Sequence, residues 1–305
     1  MPPLVPAALA VVYVGWGATY LGIRLMVETI PPFLGAGTRY LAAGTLMLAA
    51  LGLRRGVASV ARVTPRQLGA LLVVATLLLA GGNGLVTLGE QEVPAGLAAL
   101  VVASEPLWIV VLRGVLGERV PGPAILAVLV GFAGVALLLL PGGQPGDATI
   151  GGLLVIVAAA LSWAVGSIAG GRLPGLADAF VATGWQMVLG GLVLVALSLA
   201  TGELAGFDPG AVSARSLAGW AFLVGPGSLL AFSAYVWLLR NAPIGLVSTY
   251  AFVNPVVAVA LGAMLLDEEI TGAMAIGAAI IVGSVALVIA QETRAAATVR
   301  DDAQA

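Results

Sequence analysis

The sequence predicts an all-α integral membrane protein whose ten transmembrane helices form two inverted five-helix repeats. Three observations carry this prediction: too little charge to cover a soluble globule, ten apolar stretches of membrane-spanning length, and self-similarity between the two halves of the chain. Of the 305 residues, 60% are hydrophobic and 9% are charged, with a mean hydropathy of +1.10. An ordinary soluble domain is roughly 25% charged, so a soluble fold is excluded.

About 20 apolar helical residues cross the hydrocarbon core. Such stretches lie near 5–26, 33–53, 67–89, 94–115, 122–141, 150–170, 177–200, 217–239, 243–266 and 271–290. The connections between them are short and leave no room for a soluble catalytic or nucleotide-binding domain. The first residues, MPPLVP, lack the basic region of a signal peptide, so the first span is expected to be retained. The Ala-rich stretch 291–305 reads as a short, disordered cytoplasmic tail.

Cytoplasmic loops carry the basic excess of a membrane protein, and here Arg is the only base. Arg54, Arg55, Arg62 and Arg66 fall in the second loop. Arg113 and Arg119 flank the fourth, Arg172 the sixth and Arg240 the eighth, with Arg294 and Arg300 in the tail. The odd loops carry Glu90 and Glu92, Asp147, Glu203 and Asp208, and Asp267 to Glu269. Arg24 and Arg215 are the exceptions. Both termini are therefore expected in the cytoplasm.

The repeat spans nearly the whole chain. Pro94-Ala95-Gly96-Leu97, ending in Glu105-Pro106, matches Pro243-Ile244-Gly245-Leu246, ending in Asn254-Pro255, and Val135-Ala136-Leu137 matches Val285-Ala286-Leu287. Trp16 and Trp163 align more loosely. Residues 5–141 and 150–290 thus form two units of five helices. An odd number turns the second unit upside down, and the Arg-rich second loop accordingly corresponds to the acidic seventh. Inverted repeats are a signature of secondary transporters, whose site lies near the midplane between the repeats.

Absences narrow the chemistry. The chain has no His and no Cys, and all 13 of its basic residues are Arg. This removes His and Cys catalysis, His- or Cys-ligated zinc, a phosphate-loop Lys and a Schiff-base Lys. No cofactor, metal set or nucleic-acid patch is expected. An intramembrane enzyme would need a catalytic cluster, and no carboxylate pair or Ser dyad is found. No ATP-binding machinery is present, so movement must be driven by an ion gradient or run downhill.

The chain resembles the drug/metabolite transporter superfamily, EamA branch, with two EamA repeats. The resemblance rests on Trp16-Gly17-Ala18-Thr19-Tyr20, on Pro31-Pro32 leading to Arg39-Tyr40, on Glu105-Pro106 followed by Gly117-Glu118-Arg119, and on Asn254-Pro255 followed by Asp267-Glu268-Glu269. It covers about residues 5–290. It implies an inner-membrane carrier, often an exporter of amino acids, other metabolites or toxic compounds, and it does not specify the substrate. Multidrug efflux is the alternative within the class; a channel or lipid scramblase is the rival outside it.

An ionisable group inside the bilayer faces a cavity or a partner. Glu105 lies about 16 Å along its span, near the midplane, followed by the helix-breaking Pro106. It is the candidate for binding a proton, an ammonium substrate or Arg39; locking helices together is the alternative. Arg39 has two roles open: it recognises a substrate carboxylate through paired hydrogen bonds, or it serves as a structural counter-ion or snorkels outward. Asn83, Thr87 and Glu90 share one helical face and line a pathway or bond neighbouring helices. Trp16, Thr19 and Tyr20, Trp163 and Ser167, Trp185 and Gln186, and Tyr250 with Asn254 are candidates for a substrate pocket, against plain aromatic packing. Pro106 and Pro255 are read as equivalent kinks that support gating.

Overall fold

A computed structural model describes residues 3–140, 148–176 and 178–302. The described residues are 82% helical, without strands. Among the described residues, nine helices are long and apolar enough to cross a membrane. They are α1 (Val5–Met26), α3 (Pro65–Gly89), α4 (Ala95–Val115), α5 (Gly122–Leu139), α6 (Ile150–Arg172), α7 (Ala179–Ala200), α8 (Ala214–Asn241), α9 (Gly245–Leu265) and α10, which crosses over Gly272–Gln291. The remaining expected span is α2 (Pro32–Arg55), a helix of 24 residues and therefore about 36 Å long. Its Thr38-Arg39-Tyr40 segment dilutes its apolarity.

Local chemistry starts and stops these helices. Thr64 and Gln67 form a reciprocal capping box at the start of α3. The side chains of Thr149, Asp178 and Ser213 accept backbone N–H groups at the starts of α6, α7 and α8, as the Thr271 hydroxyl does for Met274 in α10. Each satisfies a donor that has no partner within the helix. Gly56, at φ +83°, ends α2 after Arg54 and Arg55. The tail departs from expectation: α10 continues as helix to Asp302, because nothing in its Ala-rich sequence breaks a helix. Asp147 lies outside the described residues.

The two halves of the chain interleave. The closest helix pairs are α2 with α7, α5 with α10, α3 with α6, α1 with α8 and with α9, and α4 with α9. Each joins a helix of the first half to one of the second. The α2–α7 crossing shows how glycine permits this: a Cβ at Gly37 would lie 2.9 Å from the Val195 backbone nitrogen, and one at Gly44 2.8 Å from the Gly184 carbonyl. Large apolar side chains such as Leu53, Leu126 and Leu129 remain exposed on the outside, as a hydrocarbon solvent favours.

Among the described residues, regular α-helix fails at five places within the spans. The first helix breaks at Ala18, α4 at Ala103–Ser104, and α9 after Val247, resuming at Tyr250. The third and eighth widen into π-helix over Thr76–Gly84 and Leu223–Leu230. Such departures from α geometry concentrate at functional sites.

The exceptions to the charge pattern have partners. Arg24 donates to the carbonyls of Glu90 and Gln91 at the end of α3, where a helix presents negative potential. Arg215 pairs with Glu28 at 3.3 Å. Both guanidiniums are thereby held by local partners.

Candidate functional site

All five of these irregular helices meet around a cavity of about 120 Å³, enough for more than a single water. Among its lining residues are Trp16, Thr19 and Tyr20 from α1, Arg39 from α2, Asn83 from α3, Glu105 from α4, Trp163 from α6, Phe232 from α8, and Tyr250 and Asn254 from α9.

The break in α1 places its three residues. Ala18 leaves the helix, the Thr19 hydroxyl donates to the Trp16 carbonyl at 2.6 Å, and the chain turns its aromatic rings to the cavity. Gly17 allows the approach of α9, since a Cβ there would lie 2.7 Å from Val257 and 3.1 Å from the Asn254 carbonyl. Trp16 is the hub of an aromatic cluster, with ring centroids 5.1 Å from Phe232, 5.0 Å from Tyr235 and 5.1 Å from Tyr250.

Arg39 is 2% exposed, so it does not snorkel. Its Nε donates to the Ser228 hydroxyl at 3.0 Å, and its guanidinium stands 4.6 Å from the Tyr40 ring centroid. Ser228 belongs to the π-helical part of α8. Among the described residues no carboxylate pairs with Arg39 within 4.0 Å. The proposed counter-ion pair with Glu105 is therefore absent, because the two side chains line the cavity without meeting.

Glu105 is the first residue of the helix that restarts α4, with Pro106 behind it. Pro106 thus sits in a first turn, where a missing N–H costs nothing. No hydrogen bond to the Glu105 carboxylate forms among the described residues. Pro255 differs: it lies inside the regular helix Tyr250–Leu265, several residues past the break in α9. The two prolines occupy matching sequence positions but not matching kinks. Tyr40 Oη and Asn254 Oδ1 are buried without hydrogen-bond partners.

The polar stripe of α3 divides. Asn83 lines the cavity, whereas Thr87 and Glu90 are fully buried away from it, and the Thr87 hydroxyl donates to the Asn83 carbonyl at 2.8 Å. Ser167 and Gln186 are half-buried and outside the lining, and the Trp185 indole donates to the Val60 carbonyl at 2.9 Å. Phe232 and Tyr40 were not expected. Tyr40 adjoins Arg39 in sequence and so had a local signal, whereas Phe232 had none that separates a pocket from lipid or packing.

Residues 5–140 and 150–290 each match the EamA-like transporter family. The chain belongs to that family. It is 37% identical over 286 residues to the uncharacterized inner membrane transporter YedA of Escherichia coli (strain K12), covering 92% of this chain and 89% of that protein. It is 30% identical over 285 residues to protein PecM of Dickeya dadantii (strain 3937), covering 91% and 89%. A crystal structure at 24% identity, covering 93% of this chain and 95% of its own, superposes with a TM-score of 0.61 and so shares the fold. Its relatives are transporters of the drug/metabolite type, and with its apolar helices this EamA-family chain is a multi-pass inner membrane protein.

Proposed function

We propose that this EamA-family protein is a secondary carrier that exports amino acids or related zwitterionic metabolites by alternating access. One observation carries the reading: a buried guanidinium without a carboxylate and a carboxylate without a hydrogen bond line the same cavity. Burying a polar group unpaired is costly, and a zwitterion satisfies both, its carboxylate on Arg39 and its ammonium on Glu105. Tyr40 and Asn254 offer further unpaired polar atoms, and the Trp16 cluster accepts an apolar side chain.

In this reading α2 is the tenth span, the two halves are inverted, and both termini are cytoplasmic, which the Arg distribution supports. The bodies that move are interleaved bundles rather than residues 5–141 against 150–290, since the principal helix pairs join one half to the other. The breaks in α1, α4 and α9 are the natural hinges, with Pro106 and Pro255 stiffening the segments beside them.

The test is counterflow of labelled amino acids in liposomes, comparing the wild type with Glu105→Gln. Saturable exchange that the variant loses supports the carrier. Conductance or lipid movement without saturation overturns it in favour of a channel or scramblase. Multidrug efflux is a second reading, favoured by the aromatic cluster. It requires exchange of organic cations that survives replacement of Arg39.

A further inference from the structure

The carboxyl of Glu90 has no place in the substrate reading. It is 0% exposed, and neither of its oxygens has a hydrogen-bond partner. Its neighbours explain why. The Thr87 hydroxyl one turn earlier is committed to the Asn83 carbonyl. Arg24, the base close by on α1, donates to the Glu90 backbone carbonyl rather than to its side chain. Arg24 lies one turn beyond Tyr20, a cavity-lining residue, so Glu90 sits about 6 Å further along the axis than the cavity wall, toward the odd-loop face.

The charged and titratable groups that act on Glu90 come from each surrounding element: Tyr20 and Arg24 on α1, Arg39 on α2, and Glu268 on the connection after α9. Glu268 is held by the backbone N–H groups of Ala95 and Gly96, at 2.7 and 2.9 Å. Arg39 is the cation in this set that also faces the cavity, where Ser228 is its hydrogen-bond partner.

We propose that Glu90 is a proton-binding site linked to the substrate site through Arg39, distinct from Glu105. This rests on the zwitterion reading above. Burial and the Glu268 charge favour a neutral Glu90, and the charges of Arg24 and Arg39 oppose them. A substrate carboxylate that engages Arg39 neutralises one of those opposing charges. The fraction of Glu90 still ionised then takes a proton from hydronium in the adjoining water, one O–H bond breaking in the donor as one forms on the carboxyl, and loses its negative charge. Linkage is reciprocal, so protonated Glu90 in turn favours carboxylate binding at Arg39. Substrate and proton therefore travel together through this site. Glu105 acts with the opposite sign, because a proton and a substrate ammonium compete for its carboxylate. Export under this linkage proceeds when the substrate gradient exceeds the opposing proton gradient, as in an overflow valve.

The experiment measures proton uptake on amino-acid binding to purified wild type and Glu90→Gln in weak buffer, with pH-difference infrared spectra of both without ligand. The expected result is that Glu90→Gln still binds substrate, takes up fewer protons per substrate than wild type, and loses one neutral-carboxyl C=O band that titrates in wild type. Glu90→Asp, which keeps the carboxyl, is expected to recover both signals and serves if the Gln variant does not fold. Unchanged proton uptake in Glu90→Gln overturns the linkage. If no amino acid binds wild type, the substrate reading falls, and the infrared band alone decides Glu90. A titrating band lost in the variant upholds the proton site, and identical spectra reject it.

Discussion

Replacing Arg39 by Gln should cut affinity without lowering stability. A substrate carboxylate on the guanidinium makes two charge-assisted hydrogen bonds worth about 1.5–3 kcal/mol each. Their loss is about 3–6 kcal/mol, or roughly 10²–10⁴-fold in affinity at 1.4 kcal/mol per tenfold. The stability balance differs. The variant gives up the Ser228 bond at 3.0 Å and the Tyr40 ring contact at 4.6 Å. These are worth about 1.5–3 and up to about 2 kcal/mol. It also removes a guanidinium, 2% exposed, that no carboxylate neutralises within 4.0 Å. The effective cost of burying such an ion is several kcal/mol, so the terms cancel and unfolding stability should stay level or rise slightly. Equilibrium binding of a labelled amino acid and thermal unfolding in detergent read the two effects separately. A variant that unfolds earlier but binds as wild type would refute the reasoning and make Arg39 a structural cation.

Other expectations follow from packing and caps. Gly37→Ala and Gly44→Ala force a Cβ against the α7 backbone at 2.9 and 2.8 Å and should each cost about 1–3 kcal/mol of stability by thermal unfolding. Gly69→Ala, with nothing within 4 Å, should instead be neutral or stabilise by about 0.4–1 kcal/mol. Glu203 accepts the N–H groups of Phe33 and Leu34 at 3.0 and 2.9 Å, so Glu203→Ala should cost about 0.5–2 kcal/mol. The Arg113 side chain, by hydrogen bond, and the Arg172 charge hold the Glu118 carboxyl below the usual carboxylate range. A depressed folded-state value gives stability that is present above the unfolded value near pH ~4.3 and lost as pH falls through the folded one. Acid titration of the melting temperature should therefore show a loss in wild type that Glu118→Gln lacks.

How far the candidate site was legible varied with the kind of signal. Glu105, Arg39, Trp16 and Asn254 were readable because charge, amide or indole deep in an apolar span has few explanations. Ser167, Gln186 and Thr87 carried the same kind of signal and do not line the cavity. A half-buried helix turns several faces toward protein, and one sequence does not say which of them borders the cavity. Phe232 stayed hidden because an aromatic side chain in a membrane helix fits lipid, packing or a pocket equally well.

Composition and periodicity, which act residue by residue, determined by themselves that this chain is helical, membrane-embedded and duplicated, and where each helix starts to within a few residues. Short-range chemistry suffices for that: apolar length, Pro at the first turn, Ser, Thr or Asp at the cap. Tertiary structure decided what depends on distance between segments far apart in sequence. It left Arg39 without a carboxylate and bonded to Ser228, it used Arg24 on backbone carbonyls, and it separated Glu90 from Glu105 into different environments. It also interleaved the two halves so that each helix packs on the other half. Those outcomes turn on a few ångströms between side chains on different helices, a distance no single segment encodes.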